Sequence, residues 1–233
     1  MPLIPTLKKK ILVLANSSKS PGRCVAGIEI VSDTREGLVL GEYIRPIDAT
    51  QPKAALRLST TVINQRIVRP LDIVEMEFRK HAADANHPED WIIYQGSEWA
   101  LRGRLCVDRL EEVPHGTVDM WGSGKRIEPG TVKATVQVIK TTQRLAAHAY
   151  LNTSYGYPKH EVRLHFNGLG ISITDTQYIE AHNLHDVPAN ERKSVEVAAG
   201  SFLVLSLTPP FEPYNCGTKY QYRVVAAIIE ANA

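Results

Sequence analysis

Residues 161–174 read Glu161-Val-Arg-Leu-His-Phe-Asn-Gly-Leu-Gly-Ile-Ser-Ile-Thr174. Apolar and polar side chains alternate on both sides of Asn167-Gly168. That pair tolerates the positive φ of a type I′ turn, so the stretch predicts an antiparallel β-hairpin. Upstream, residues 131–139 alternate strictly and predict another strand. Downstream, residues 175–185 suggest a short capped helix, and residues 202–207 and 220–229 read as two further strands. A link through Pro209, Pro210 and Pro213 joins those two.

The first half repeats the strand-rich character. Residues 11–14 are continuously apolar, as in a strand covered on both faces. Residues 25–30 and 38–44 flank turn-forming residues and predict a second hairpin. Residues 71–78 alternate apolar with acidic, which predicts a half-buried strand whose acids face water. The best helical pattern lies in residues 88–112, with Trp91, Trp99 and Leu105 among its apolar positions. Gly122-Ser-Gly124 marks a boundary between modules at 1–124 and 125–233. Four or five strands and a short helix in each half suit a small closed barrel, which leaves no exposed sheet edge.

At 233 residues with 43% apolar content, the chain can bury two small cores. No apolar run approaches the roughly 20 residues of a membrane span. Cys24, Cys106 and Cys216 are too far apart in sequence for a disulfide framework or metal-ligand spacing, so a cytoplasmic protein with reduced thiols is expected. Charge is segregated: residues 1–69 hold 11 Lys/Arg against 5 Asp/Glu, and residues 70–124 hold 5 against 11. A basic first third is compatible with a phosphate-bearing ligand or with an ordinary solvated surface.

Segment 16–23 leaves the buried strand and carries Asn16, Ser17, Lys19 and Arg23, with Pro21-Gly22 to turn the chain. Such a loop can offer backbone N–H groups and a bidentate arginine to a phosphate, with Arg45 reaching the same end of the sheet. Alternatively, Asn16 and Ser17 satisfy the loop's own backbone. Tyr155 and Tyr157, beside Tyr150, Lys159 and His160, form an aromatic and basic cluster; Lys219 and Tyr220, beside Tyr222 and Arg223, form another. Both suit base stacking with phosphate pairing, and both suit barrel packing. Asp175 is either a helix cap or a ligand contact. His182 and His185 have the spacing of two metal ligands, but no third follows and no metal is expected. No nucleophile elbow, paired carboxylates, Walker loop or dinucleotide fingerprint is present, so no catalytic residue and no cofactor is assigned.

Three stretches carry a family likeness: residues 14–27 with Gly41-Glu-Tyr-Ile-Arg-Pro-Ile47, then Ser172-Ile-Thr-Asp175, then residues 205–211 leading to 222–229. The chain resembles the bacterial dual OB-containing domain family. That resemblance implies a mainly β protein of two tandem OB-like barrels with a few short helices, and genes found beside mobile or defence systems. The expectation is a non-catalytic binding module for single-stranded nucleic acid or a nucleotide. The alternative is an assembly subunit of a multi-component defence complex, with Trp91, Trp99 and Trp121 as an exposed anchor.

Overall fold

The computed structural model describes residues 6–117, 121–122, 124–154, 156–213 and 217–231. The chain forms two compact units. The first runs to Pro114 and takes in Gly130–Val136; the second holds His115–Pro129 and the chain from Gln137 onward.

In the first unit, β1 (Leu7–Lys19), β2 (Gly22–Thr34) and β3 (Gly37–Ile47) form an antiparallel meander. A two-stranded ribbon of β4 (Val62–Ile63) and β5 (Arg66–Ile67) follows two 3₁₀ turns. Next come β6 (Asp72–His81), β7 (Asp90–Ile93) and β8 (Ala100–Arg104). β6 pairs with the first half of β1, and β7 pairs antiparallel to β6 and parallel to β3, so five strands close as a ring. β1 serves two neighbours by bending where its register shifts between Val13 and Ala15. Its residues 11–15 are fully buried, as a continuous apolar run requires. Ile11, Val13, Val25, Ile44, Val74, Met76, Phe78 and Trp91 fill the barrel. Each such side chain contributes about 1.5–3 kcal/mol on burial.

The second unit contains β9 (Arg126–Ile127), β10 (Val136–Lys140), β11 (Leu145–Asn152), β12 (Lys159–Phe166) and β13 (Leu169–Ile173). The single α-helix among the described residues, α1 (Thr176–Ala181), precedes β14 (Arg192–Val197), β15 (Phe202–Leu207) and β16 (Gln221–Ile229). The sheet runs β10-β15-β16-β13-β12-β11-β14, with β9 against β16 and β13 parallel to β16. β10 and β11 are consecutive: the first pairs with β15, the second with β12. They divide between them the two partnerships that β1 holds alone in the first unit. Both units therefore follow the OB order, with the third strand parallel to the fifth. Asn167 (φ 48°) and Gly168 (φ 74°) make the expected turn between β12 and β13.

Four expectations are corrected. Residues 88–112 hold β7, β8 and a 3₁₀ turn over Val107–Glu112, with no α-helix. Trp91 and Trp99 look helically spaced because a turn near Gly96 (φ 92°) brings the segment after β7 back onto the same core. Within residues 131–139, only those from Val136 onward are strand. Thr135 instead gives its backbone N–H to the Glu89 carboxylate. Asp72 does not face water: it is fully buried, in phase with Val74, Met76 and Phe78, and held by Arg66 at 2.8 Å and Arg104 at 3.1 Å. The three tryptophans are buried, at 6–8% exposure, and offer no exposed anchor.

Candidate ligand-binding face

Segment 16–23 is the end of the β1–β2 hairpin; only Ser20 and Pro21 lie outside strand. Asn16 is buried and donates from Nδ2 to the Val68 carbonyl at 2.9 Å, and buried Ser17 donates to the Cys24 carbonyl at 3.4 Å. The Arg23 backbone exchanges two hydrogen bonds with Leu56, at 2.8 and 2.9 Å. A Cβ on Gly22 would stand 2.2 Å from the Leu56 carbonyl oxygen, so only glycine fits beneath that crossing.

Burial foremost, and then the charge of Arg45, push the Lys19 ammonium below its ordinary range. Arg45 is only 2% exposed, however. Its Nε donates to Asp90 at 2.5 Å and its Nη1 to His87 Nε2 at 3.4 Å. Because arginine can only donate, Nε2 of His87 is the acceptor and Nδ1–H donates to Thr135 Oγ1 at 3.2 Å. The Thr135 hydroxyl donates onward to Glu89 at 2.9 Å. Burial, then Arg45 and Lys19, push the His87 pKa down to about 2, so the imidazole is neutral throughout the physiological range. The result is a closed polar chain, with the Arg45 guanidinium held inside it.

The second unit presents a different surface. Along β12, Val162, Leu164 and Phe166 point into the core while Glu161 and Arg163 lie on the outer side. Gly170 and Ser172 alternate with buried Ile171 and Ile173 on β13, and Tyr222 and Val224 continue the outer face on β16. Small residues in the middle strand leave a groove of about 560 Å³. Tyr157, from the β11–β12 loop, and Phe211, from the β15–β16 loop, wall it at 61% and 47% exposure. Phe211 stacks on Tyr222 at 4.5 Å and an interplanar angle of 24°. Lys125, Lys159 and Arg163 supply cations along it, against Glu161 and Glu212. The Glu161 carboxylate accepts from Arg163 Nε at 3.0 Å, Tyr150 Oη at 3.1 Å and Asn152 Nδ2 at 3.1 Å, which fixes the guanidinium over the sheet.

The groove thus gathers Tyr157 with Lys159 and Tyr222. Tyr155 lies outside the described residues. Lys219 is exposed on the adjoining loop, and Arg126 covers the Tyr220 ring at 5.1 Å from its centroid. Asp175 is a cap: Oδ1 accepts from Gln177 and Tyr178 N–H, and Oδ2 accepts from Ile228 N–H at 3.0 Å. His182 sits 3.7 Å from Glu230 and His185 3.2 Å from Asp186. No group of three metal-ligating side chains occurs among the described residues. Sequence reading missed Lys125, Arg163 and Phe211. The alternation of Arg163 and His165 opposite Ser172 and Gly170 was the available signal.

A family model described as a dual OB-containing domain matches residues 9–228. The chain belongs to that family. Both units lie almost entirely within the match, and membership marks the protein as a binding module. No curated protein matches it. OB barrels bind ligands on the face of their second and third strands, between the loops that follow strands one and four. Here those elements are β12 and β13, with Tyr157 after β11 and residues 208–213 after β15, where the groove lies.

Proposed function

We propose that this dual OB protein is a non-catalytic binder of single-stranded nucleic acid, held in the groove of the second unit. The observation that carries the reading is the pairing of exposed rings, Tyr157 and Phe211, with Lys125, Lys159 and Arg163 around a floor lowered by Gly170 and Ser172. Bases stack on the rings and phosphates meet the cations, a sequence-tolerant mode. In the first unit, Arg45 is enclosed by its own partners, so that barrel carries the lesser share of contact.

Fluorescence anisotropy with labelled dT12 and rU12 tests this. Affinity should be micromolar or tighter near 50 mM salt. Three phosphate contacts would give log K a slope of about −2 against log salt. Each lost stack costs about 1–3 kcal/mol, so Y157A/F211A should weaken binding by at least about tenfold. Absence of binding at low salt, or an indifferent double variant, would refute the proposal. A protein-docking role draws on Val31 and Val39, exposed at 63% and 51% near the β2–β3 turn; light scattering would show self-association through them.

A further inference from the structure

Beyond the groove, the outer face of the same sheet continues across β12, β11 and β14. The register places His148 opposite Arg163 and Ser194, and His165 opposite Ala146. The imidazoles of His148 and His165 meet edge to face, 4.8 Å between centroids. His148 Nδ1 lies 2.7 Å from Ser194 Oγ. On β14, Arg192 lies 5.5 Å from the Tyr150 ring centroid. Burial foremost, then His165 and Arg192, hold His148 below its usual range. The acids on this face are Glu161, held by Arg163, and Glu196, which pairs with Arg144 at 3.4 Å near the far end of β14.

Resting on the proposed function, we propose that His148, His165, Arg163 and Arg192 form a second, proton-dependent phosphodiester subsite, which takes the strand as it leaves the groove. The pairings line up Val224 with Ser172, Arg163 and His148, and Tyr222 with Gly170 and His165, and three strand spacings, about 14 Å, separate β16 from β11. A strand lying across the sheet from the stacking rings therefore passes over the histidine pair with its backbone anions facing it. Protonation of the pair adds positive charge beside Arg163 and Arg192, and the phosphate relieves the crowding that otherwise opposes it.

Oligothymidylate is the probe, because thymine does not titrate between pH 5.5 and 8. dT12 should bind at least about fivefold more tightly at pH 5.5 than at pH 8, and its salt slope should steepen by about 0.7 for each phosphate gained. dT4, near the lower end of OB site sizes of about 4–16 nucleotides, should fill the groove alone and show less than a twofold change. H148Q/H165Q should abolish the pH response of dT12 and leave its affinity at pH 8 within twofold of the parent. H165Q alters an exposed position only, so it should retain the fold and lose most of the response. A response equal in dT4 and dT12, or preserved in the histidine variants, overturns the subsite and leaves the groove standing. No binding of dT12 at either pH removes both.

Discussion

Replacing Arg45 by methionine separates a structural arginine from a ligand contact. Arg45 is 2% exposed and its partner Asp90 7%, so R45M leaves a buried carboxylate without its cation and His87 Nε2 without a donor. Breaking a buried pair from one side costs about 3–5 kcal/mol. Replacing both partners by apolar groups of similar size removes the orphan charge, so R45M/D90L should recover all but about 1–2 kcal/mol, the remainder from His87. Two units need not unfold as one, so the signal has to be local. In a W121F background, urea titration followed by fluorescence reports on Trp91 and Trp99, both in the core of the first unit. With an m value near 2 kcal/mol/M, R45M should move the midpoint down by about 2 M. An R45M protein within about 1 kcal/mol of its parent would refute the assignment. So would a double variant no more stable than the single one. Loss of dT12 binding by a stable R45M protein would return Arg45 to the ligand surface.

His87 gives the first unit a pH dependence. Its folded pKa is depressed to about 2 from an unfolded value near 6.5, so its stabilising contribution is present above pH 6.5 and lost as pH falls. Between pH 7 and pH 5 the loss should be about 2 kcal/mol in the same urea assay, and H87Q should flatten it. Asp72, held low by Arg66, Arg69 and Arg104 against its burial, titrates below that window, so it does not confuse the reading. D175A should cost about 2–4 kcal/mol in the second unit, since it removes a helix cap and leaves the buried Ile228 N–H without its acceptor. Hydrogen exchange should accelerate in α1 and β16, and D175N should spare α1 more than β16. Among glycines, G22A should destabilise by about 2 kcal/mol or more through its clash with the Leu56 backbone. G170A, whose Cβ meets Arg163 and His165 at 3.6 Å, should fold normally. Thermal melts that rank these two variants the other way would contradict the packing described.

Strands were legible where a turn is spelled out, as in the β12–β13 hairpin, or where an apolar run is buried throughout, as in β15. Residues 88–112 were not, because Trp91 and Trp99 belong to two short stretches folded onto one core, and their spacing imitates a helix. Asp72 was misread for the opposite reason. Its position in phase with Val74 and Met76 puts it inside, which becomes tenable only once Arg66 and Arg104, 6 and 32 residues away, arrive as partners. The site divided in the same manner. Tyr157 and Lys159 stood out as a local cluster, whereas Phe211 and Lys125 reach the groove only through pairings distant in sequence. Local composition equally could not reveal that Arg45 is captured by Asp90 and His87.

β16 lies between β15 and β13 and also holds β9. While the chain is being synthesised, residues 126–213 leave the ribosome with hydrogen-bonding edges of both β13 and β15 uncovered, and only the arrival of residues 221–229 seals them. A nascent chain stalled before Gln221 would carry two open edges suited to pairing with any extended segment nearby. Completion of the second sheet therefore waits on residues 221–229, and prompt pairing of that segment is its best protection against aggregation.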